Sequence, residues 1–125
     1  MDLVVIESPL SGDFKKNIKY AKLCMLDCLT NYGEAPYASH LLYTQCLDDG
    51  NDEQRKLGME AGFFWGNVAE KRVVYIDLGI SNGMKEGIVK AQKNGQIINY
   101  RILPPELIDR LYDKNDNIRA TKGFK

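Results

Sequence analysis

The chain has 125 residues, enough for one domain and too few for two. Its 44% apolar and 10% aromatic content supplies an ordinary globular core, and 17 Lys+Arg balance 17 Asp+Glu, for a formal net charge of zero. That balance argues against broad electrostatic binding to polymeric nucleic acid or anionic membrane, which needs a clustered positive excess. No apolar run approaches the roughly 18–20 residues of a membrane span. The segment Met1 to Glu7 opens with an acid and is too short in apolar residues for a signal peptide. Three cysteines without a CxxC pair indicate neither a disulfide framework nor a zinc ribbon. The expectation is a cytoplasmic domain with reduced thiols.

Leu3-Val4-Val5-Ile6 is a continuous β-branched run that fits a strand buried on both faces. Asp13 is placed to cap a long helix in which Phe14, Ile18, Ala21, Met25, Cys28, Leu29 and Tyr32 recur at helical spacing, with Gly33 as its stop. Ala35 to Ser39 reads as a short second strand, followed by His40 to Gln45 and an acidic turn, Asp48-Asp49-Gly50-Asn51-Asp52. A helix is expected over Asp52 to Val68, with Leu57, Ala61, Phe64, Trp65 and Val68 at helical spacing and Phe64 and Trp65 in the core. Gly58, Gly62 and Gly66 form a small-residue ridge on it that suits close packing, within the subunit or between subunits.

Arg72 to Asp77 is the clearest strand, Leu78 to Gly83 the loop after it, and Met84 to Asn94 a helix with Ile88 and Ala91 facing inward. Ile97 to Arg101 gives a last strand, and Pro104-Pro105 opens a short helix over Glu106 to Tyr112. The domain therefore spans residues 1–112, with a polar, loose tail over 113–125. Strands alternating with helices imply an α/β three-layer sandwich, Rossmann-like, around a mainly parallel sheet of four to five strands. In such sheets ligands sit beyond the carboxyl ends of the strands, where strand order reverses.

That rule nominates three loops. Ser8-Pro9-Leu10-Ser11-Gly12-Asp13 joins a buried strand to a helix, and its backbone N–H groups and serine hydroxyls suit phosphate or another anion. It reads equally as a tight turn that binds nothing, and it matches neither Walker A nor GxGxxG. Ser81, Gly83 and Met84 offer the same physics after the third strand. Asp77 is placed either to accept hydrogen bonds from ribose hydroxyls or to brace its loop. His40, the single histidine, lies at a strand end with Tyr43 and Gln45 close behind, as a ligand contact or a structural group. No Cys or second His stands at ligand spacing to it, so neither a metal nor another cofactor is expected. Cys24 and Cys28 read as small core residues, and the acidic turn as solvated rather than Ca²⁺-binding.

Glu7 to Asp13, then Ala35 to Gln45, then Leu47-Asp48-Asp49, Leu57-Gly58, Ala61-Gly62 and Val74 to Ala91 resemble the DUF7768 family, and through it the nucleoside 2-deoxyribosyltransferases and nucleotide N-hydrolases. The resemblance covers roughly residues 3–101 with order and spacing kept. It implies a compact Rossmann-like domain, assembled as a homo-oligomer, with a nucleoside or nucleotide in a pocket at the strand ends. The enzymes it resembles attack the anomeric carbon with a glutamate four residues after the glycine of the third-strand loop. Counted from Gly83 that position is Gly87, and Glu86 is one residue early, turned by about 100° on a helix. The pocket is carried over and the chemistry is not, leaving Glu7 and Asp77 as the substitute carboxylates to consider. The resulting expectation is a nucleotide- or nucleoside-binding domain, with an active N-glycosidase or deoxyribosyltransferase as the alternative.

Overall fold

The computed structural model describes residues 1–48 and 50–118. Its elements are β1 (Leu3–Glu7), α1 (Phe14–Asn31), β2 (Ala35–Tyr37), two 3₁₀ turns (Ser39–Leu41 and Tyr43–Gln45), α2 (Asp52–Val68), β3 (Lys71–Tyr75), α3 (Asn82–Lys93), β4 (Ile97–Arg101) and α4 (Pro105–Tyr112). The four strands form one sheet in the order β2-β1-β3-β4, with every pairing parallel. The Rossmann-like α/β expectation thus holds, with four strands.

Alternation along the strands divides the core in two. Val4, Ile6, Val73 and Tyr75 point to the side covered by α1 and α4, where they meet Tyr20, Leu23, Cys24, Cys28, Leu107 and Leu111. On the opposite side Val74 packs on Met84 and Ile88 of α3. Cys24 and Cys28 are buried packing residues, and Ile88 and Ala91 face inward as expected. The larger core also holds a polar network. Tyr75 donates to Asp27 Oδ2 at 2.7 Å, and Arg101 grips both oxygens of the buried Glu34 at 2.7 and 2.8 Å. Lys71 adds a third contact to Glu34 at 2.8 Å, tying β3 and β4 to the start of β2.

Local signals explain most boundaries. Asp13 caps α1 by accepting from the Lys16 N–H, and Asn51 caps α2 by accepting from Gln54. Gly33 follows α1 with φ +61°, the left-handed conformation that a helix stop needs. The third strand ends at Tyr75 rather than Asp77, because Gly79 N–H bonds back to Ile76 and turns the chain out of the sheet. The helix after it starts at Asn82, two residues before Met84, because Ser81 accepts from the Met84 N–H as its cap.

Helix α2 departs from expectation in its orientation. Phe64 and Trp65 are 71% and 58% exposed, and Leu57 and Val68 are also exposed, so they are not core residues. The glycine ridge faces inward instead. A Cβ on Gly62 would meet Ser39 at 3.0 Å, and one on Gly66 would meet the Arg72 guanidinium at 2.6 Å. The ridge is used within the subunit, to bring α2 onto the first 3₁₀ turn and β3.

Residues 113–118 of the expected loose tail lie against the domain. Lys19 donates to the Asp113 and Asp116 carbonyls at 3.0 Å, Arg110 donates to the Asp116 carboxylate, and Ile118 packs on the larger core. Residues 119–125 of that tail, and Asp49 of the acidic turn, lie outside the described residues. No described helix is long and apolar enough to cross a membrane.

Candidate functional site

Strand order reverses between β1 and β3: the chain leaves β1 toward β2 on one side and reaches β3 on the other. The crevice between the loops that follow these two strands is where an open parallel sheet places its ligand. A cleft of about 140 Å³ lies there, enclosed by the β1 end, the first loop, the first 3₁₀ turn, α2 and the start of α3.

The first loop brings in Ser8 and Ser11. Gly12 takes φ +98°, which lets the chain turn into α1, and Asn17 holds the turn by donating to the Leu10 and Ser11 carbonyls at 3.1 and 2.9 Å. Ser8 Oγ and His40 Nε2 are joined by a 2.9 Å hydrogen bond across the cleft wall. Burial pulls the His40 pKa down to about 4, so the ring is neutral at physiological pH. Ser81, Gly83 and Met84 close the opposite wall at the α3 N-terminus. The Ser81 hydroxyl is already engaged as the cap, and Met84 Sδ accepts from the Ser81 N–H at 3.4 Å.

Of the residues nominated from sequence, Ser8, Ser11, His40, Ser81, Gly83 and Met84 line this cleft together. Tyr43 lines a shallower annex of about 60 Å³ that shares Ser39, His40 and Arg55 with it. Pro9 and Gly12 shape the loop without lining either space. Gln45 lies outside both, its amide reaching the Leu41 carbonyl at 3.5 Å. Asp77 also lies outside both, on the α1/α4 side. There it accepts from Tyr20 Oη at 2.6 Å and from the Leu103 N–H at 3.1 and 3.2 Å, the arrangement of a loop brace.

Two charged residues of the cleft had not been singled out from sequence, and both are arginines. Arg55 reaches the rim from α2, exposed and with no side-chain partner among the described residues. Arg72 lies in the cleft floor, 2% exposed, in the middle of the sheet. It pairs with Glu7 at the end of β1 and donates from Nε to Gln96 Oε1 at 3.1 Å. Gln96 in turn donates to the Gly66 and Ala69 carbonyls at 2.8 and 2.9 Å, so the guanidinium is held on both sides. Burial pushes the Glu7 pKa up more than Arg72 lowers it, to about 7. A Cβ on Gly87 would overlap the Glu7 carboxylate, so Glu7 fills the space this glycine leaves. The sequence offered little signal for Arg72, which follows Glu70 and Lys71 and reads as the charged start of a strand. Among the described residues no group of His, Cys, Asp and Glu is arranged to hold a metal ion.

The fold and cleft define a Rossmann-like parallel α/β domain with a polar, cation-bearing crevice at its switch point. Residues 2–101 match the family described as a domain of unknown function, DUF7768, and the chain belongs to that family. A search of curated proteins and one of solved structures each found no match.

Proposed function

We propose that the protein binds a small nucleotide or nucleoside in this cleft, in the manner of the deoxyribosyltransferase pocket its sequence resembles. Without a glutamate at Gly87, its role is sensing or sequestration, and an ADP-ribose-type signal belongs to the ligand class. The observation that carries the reading is the meeting, at the switch point, of the exposed Arg55 with the Ser8–His40 pair and the α3 N-terminus. Cation, hydroxyls and helix N–H groups are what a sugar phosphate requires. The enclosed 140 Å³ is under half the roughly 300 Å³ of a small ligand pocket, so it seats the phosphate or pentose and leaves the base at the mouth.

A second reading, an active N-glycosidase, is favoured by the Glu7 carboxylate filling the space beside Gly87. In it, Glu7 would form an ester to the anomeric carbon as the C–N bond breaks. The base would leave with the bonding pair and take a proton from solvent, and water would then hydrolyse the ester. The homo-oligomer belongs to the same proposal. Its surface would be the outward stripe of α2, Leu57, Phe64, Trp65 and Val68, since the glycine ridge is already used within the subunit.

One incubation tests both readings. The protein is mixed with nucleosides, deoxynucleotides, NAD and cyclic ADP-ribose isomers, and free ligand is followed by chromatography before and after heat denaturation. Disappearance with intact return is the expected result. Released base or sugar phosphate would establish turnover instead, and no change for any compound would overturn the binding reading.

A further inference from the structure

Arg72 is an unusual residue for the floor of a ligand cleft to contain without using. A guanidinium in the central part of a sheet is costly to desolvate, and a well-packed apolar side chain would serve the fold as well or better. Its position is nonetheless firmly built. Gln96 fixes Nε, α2 approaches it through Gly66, which has no side chain, and Arg72 is among the residues that line the cleft. Its one acidic partner among the described residues is Glu7, which is also part of that lining and is held against α3 only where Gly87 leaves room. Arg72 is therefore fixed on its Gln96 side, while Glu7, its other partner, stands at the end of β1 in the cleft lining, so a ligand that reaches the guanidinium must displace it.

We propose that Arg72 is a buried anchor for an anionic oxygen group of the ligand, sulfate- or phosphate-like, and that Glu7 is its place-holder, which yields Arg72 to the ligand and takes up a proton as it does so. This rests on the reading of the cleft as a ligand site and adds which group the ligand must carry and where it sits. The other charged or titratable groups of the cleft do not blur the exchange. Arg55 lies at the rim on α2, burial holds His40 on the first 3₁₀ turn down to about 4, and Gln96 before β4 is neutral. On α3, Lys85 and Glu86 beside Gly87 are exposed, and Lys90 sits over the Phe63 ring at 3.8 Å. The Glu7 carboxyl, already balanced near 7, needs little to accept the proton.

The probe is sulfate, which stays a dianion across the whole range, titrated by amide chemical shifts at matched ionic strength. Wild-type affinity is expected to rise about 30-fold from pH 8.5 to pH 5.5, the full effect of one carboxyl titrating near 7. Glu7→Gln, which cannot hold the ion pair as a charge, is expected to bind at pH 8.5 as tightly as wild type does at pH 5.5, with no pH dependence. Arg72→Gln is expected to lose binding at both. A second measurement needs no variant: calorimetry in two buffers of different ionisation enthalpy should show close to one proton taken up per sulfate at about pH 8. A flat wild-type profile, no proton uptake, or no sulfate binding at any pH overturns the proposal. Sulfate binding with no response to the nucleotide panel would leave an anion site and remove the nucleoside. Nucleotide binding with no proton uptake would keep the nucleotide and remove Arg72 as its anchor.

Discussion

Glu7 and His40 line one cleft, and burial shifts both away from their ordinary pKa values in the direction that disfavours charge. Their effects on stability are opposite in sign and fall in the same pH window. The Glu7 value rises from 4.5 to about 7, so the folded state holds a proton that the unfolded chain has released. That stabilisation is fully present below 4.5 and lost as pH rises through 7. The His40 value falls from 6.5 to about 4, so here the unfolded chain holds the extra proton. Its stabilisation is fully present above 6.5 and lost as pH falls through 4. From pH 8 to pH 5, Glu7 should add about 2.5 kcal/mol to folding stability and His40 should remove about 2, each following from the linkage relation and the two end values. In wild type the two nearly cancel. Urea unfolding at both pH values should therefore give Glu7→Gln a stability that falls by about 2.5 kcal/mol relative to wild type on acidification. His40→Asn should rise by about 2 kcal/mol on the same comparison. Variants that track wild type in parallel would show that neither group is buried in the ionisation state deduced from the cleft.

Three further outcomes follow from other contacts. Gly87→Ala places a Cβ in the Glu7 carboxylate, and forcing that group off Arg72 should cost about 1–3 kcal/mol, read as a lower urea midpoint; an unchanged midpoint would mean Glu7 does not occupy that space. Burial pushes the Glu34 carboxyl up, but hydrogen bonds and charge from Arg101 and Lys71 outweigh it and hold the group near 2, so its contribution is present above pH 4.5 and lost as pH falls toward 2. Glu34→Gln should cost about 3–5 kcal/mol at neutral pH, by leaving Arg101 buried and poorly paired, and should flatten the acid limb of the stability curve; an unchanged acid limb would refute the assignment. Phe64→Glu on the outward stripe of α2 should reduce the mass measured by light scattering from an oligomer to a monomer, and a wild-type monomer at micromolar concentration would end the oligomer reading.

The elements were legible because each carries an independent start, body or stop signal: Asp13 as a cap, the β-branched runs of β1 and β3, Gly33 at the end of α1. The outward face of α2 was not, because two periodic patterns run along the same helix. Hydrophobicity favours burying Leu57, Phe64, Trp65 and Val68, whereas the ridge of Gly58, Gly62 and Gly66 favours close approach. Ser39 and Arg72 lie close beneath Gly62 and Gly66, so the second pattern decides, and no count of apolar residues reveals it. The cleft was legible to the extent that the switch-point rule is: it found Ser8, Ser11, His40 and Ser81, which lie at strand ends or helix starts. It passed over Arg55 and Arg72, which lie within a helix and a strand.

Arg72 shows most clearly what register adds. Val5 pairs with Arg72 in the parallel ladder between β1 and β3, so Glu7, two residues on, shares its face of the sheet. The pairing of Glu7 with Arg72 thus follows from a register that neither strand announces in its own sequence. The consequence reaches both covering helices. Gly66 of α2 lies against the guanidinium and Gly87 of α3 against the carboxylate, so each helix approaches this ion pair at a residue without a side chain. Alanine at either point would gain helix propensity and lose the space. Two glycines at the contacts with one buried pair, together with the desolvation cost of the pair itself, make poor sense as a way to stabilise a small domain. They are consistent with a cleft floor that must keep a charge available.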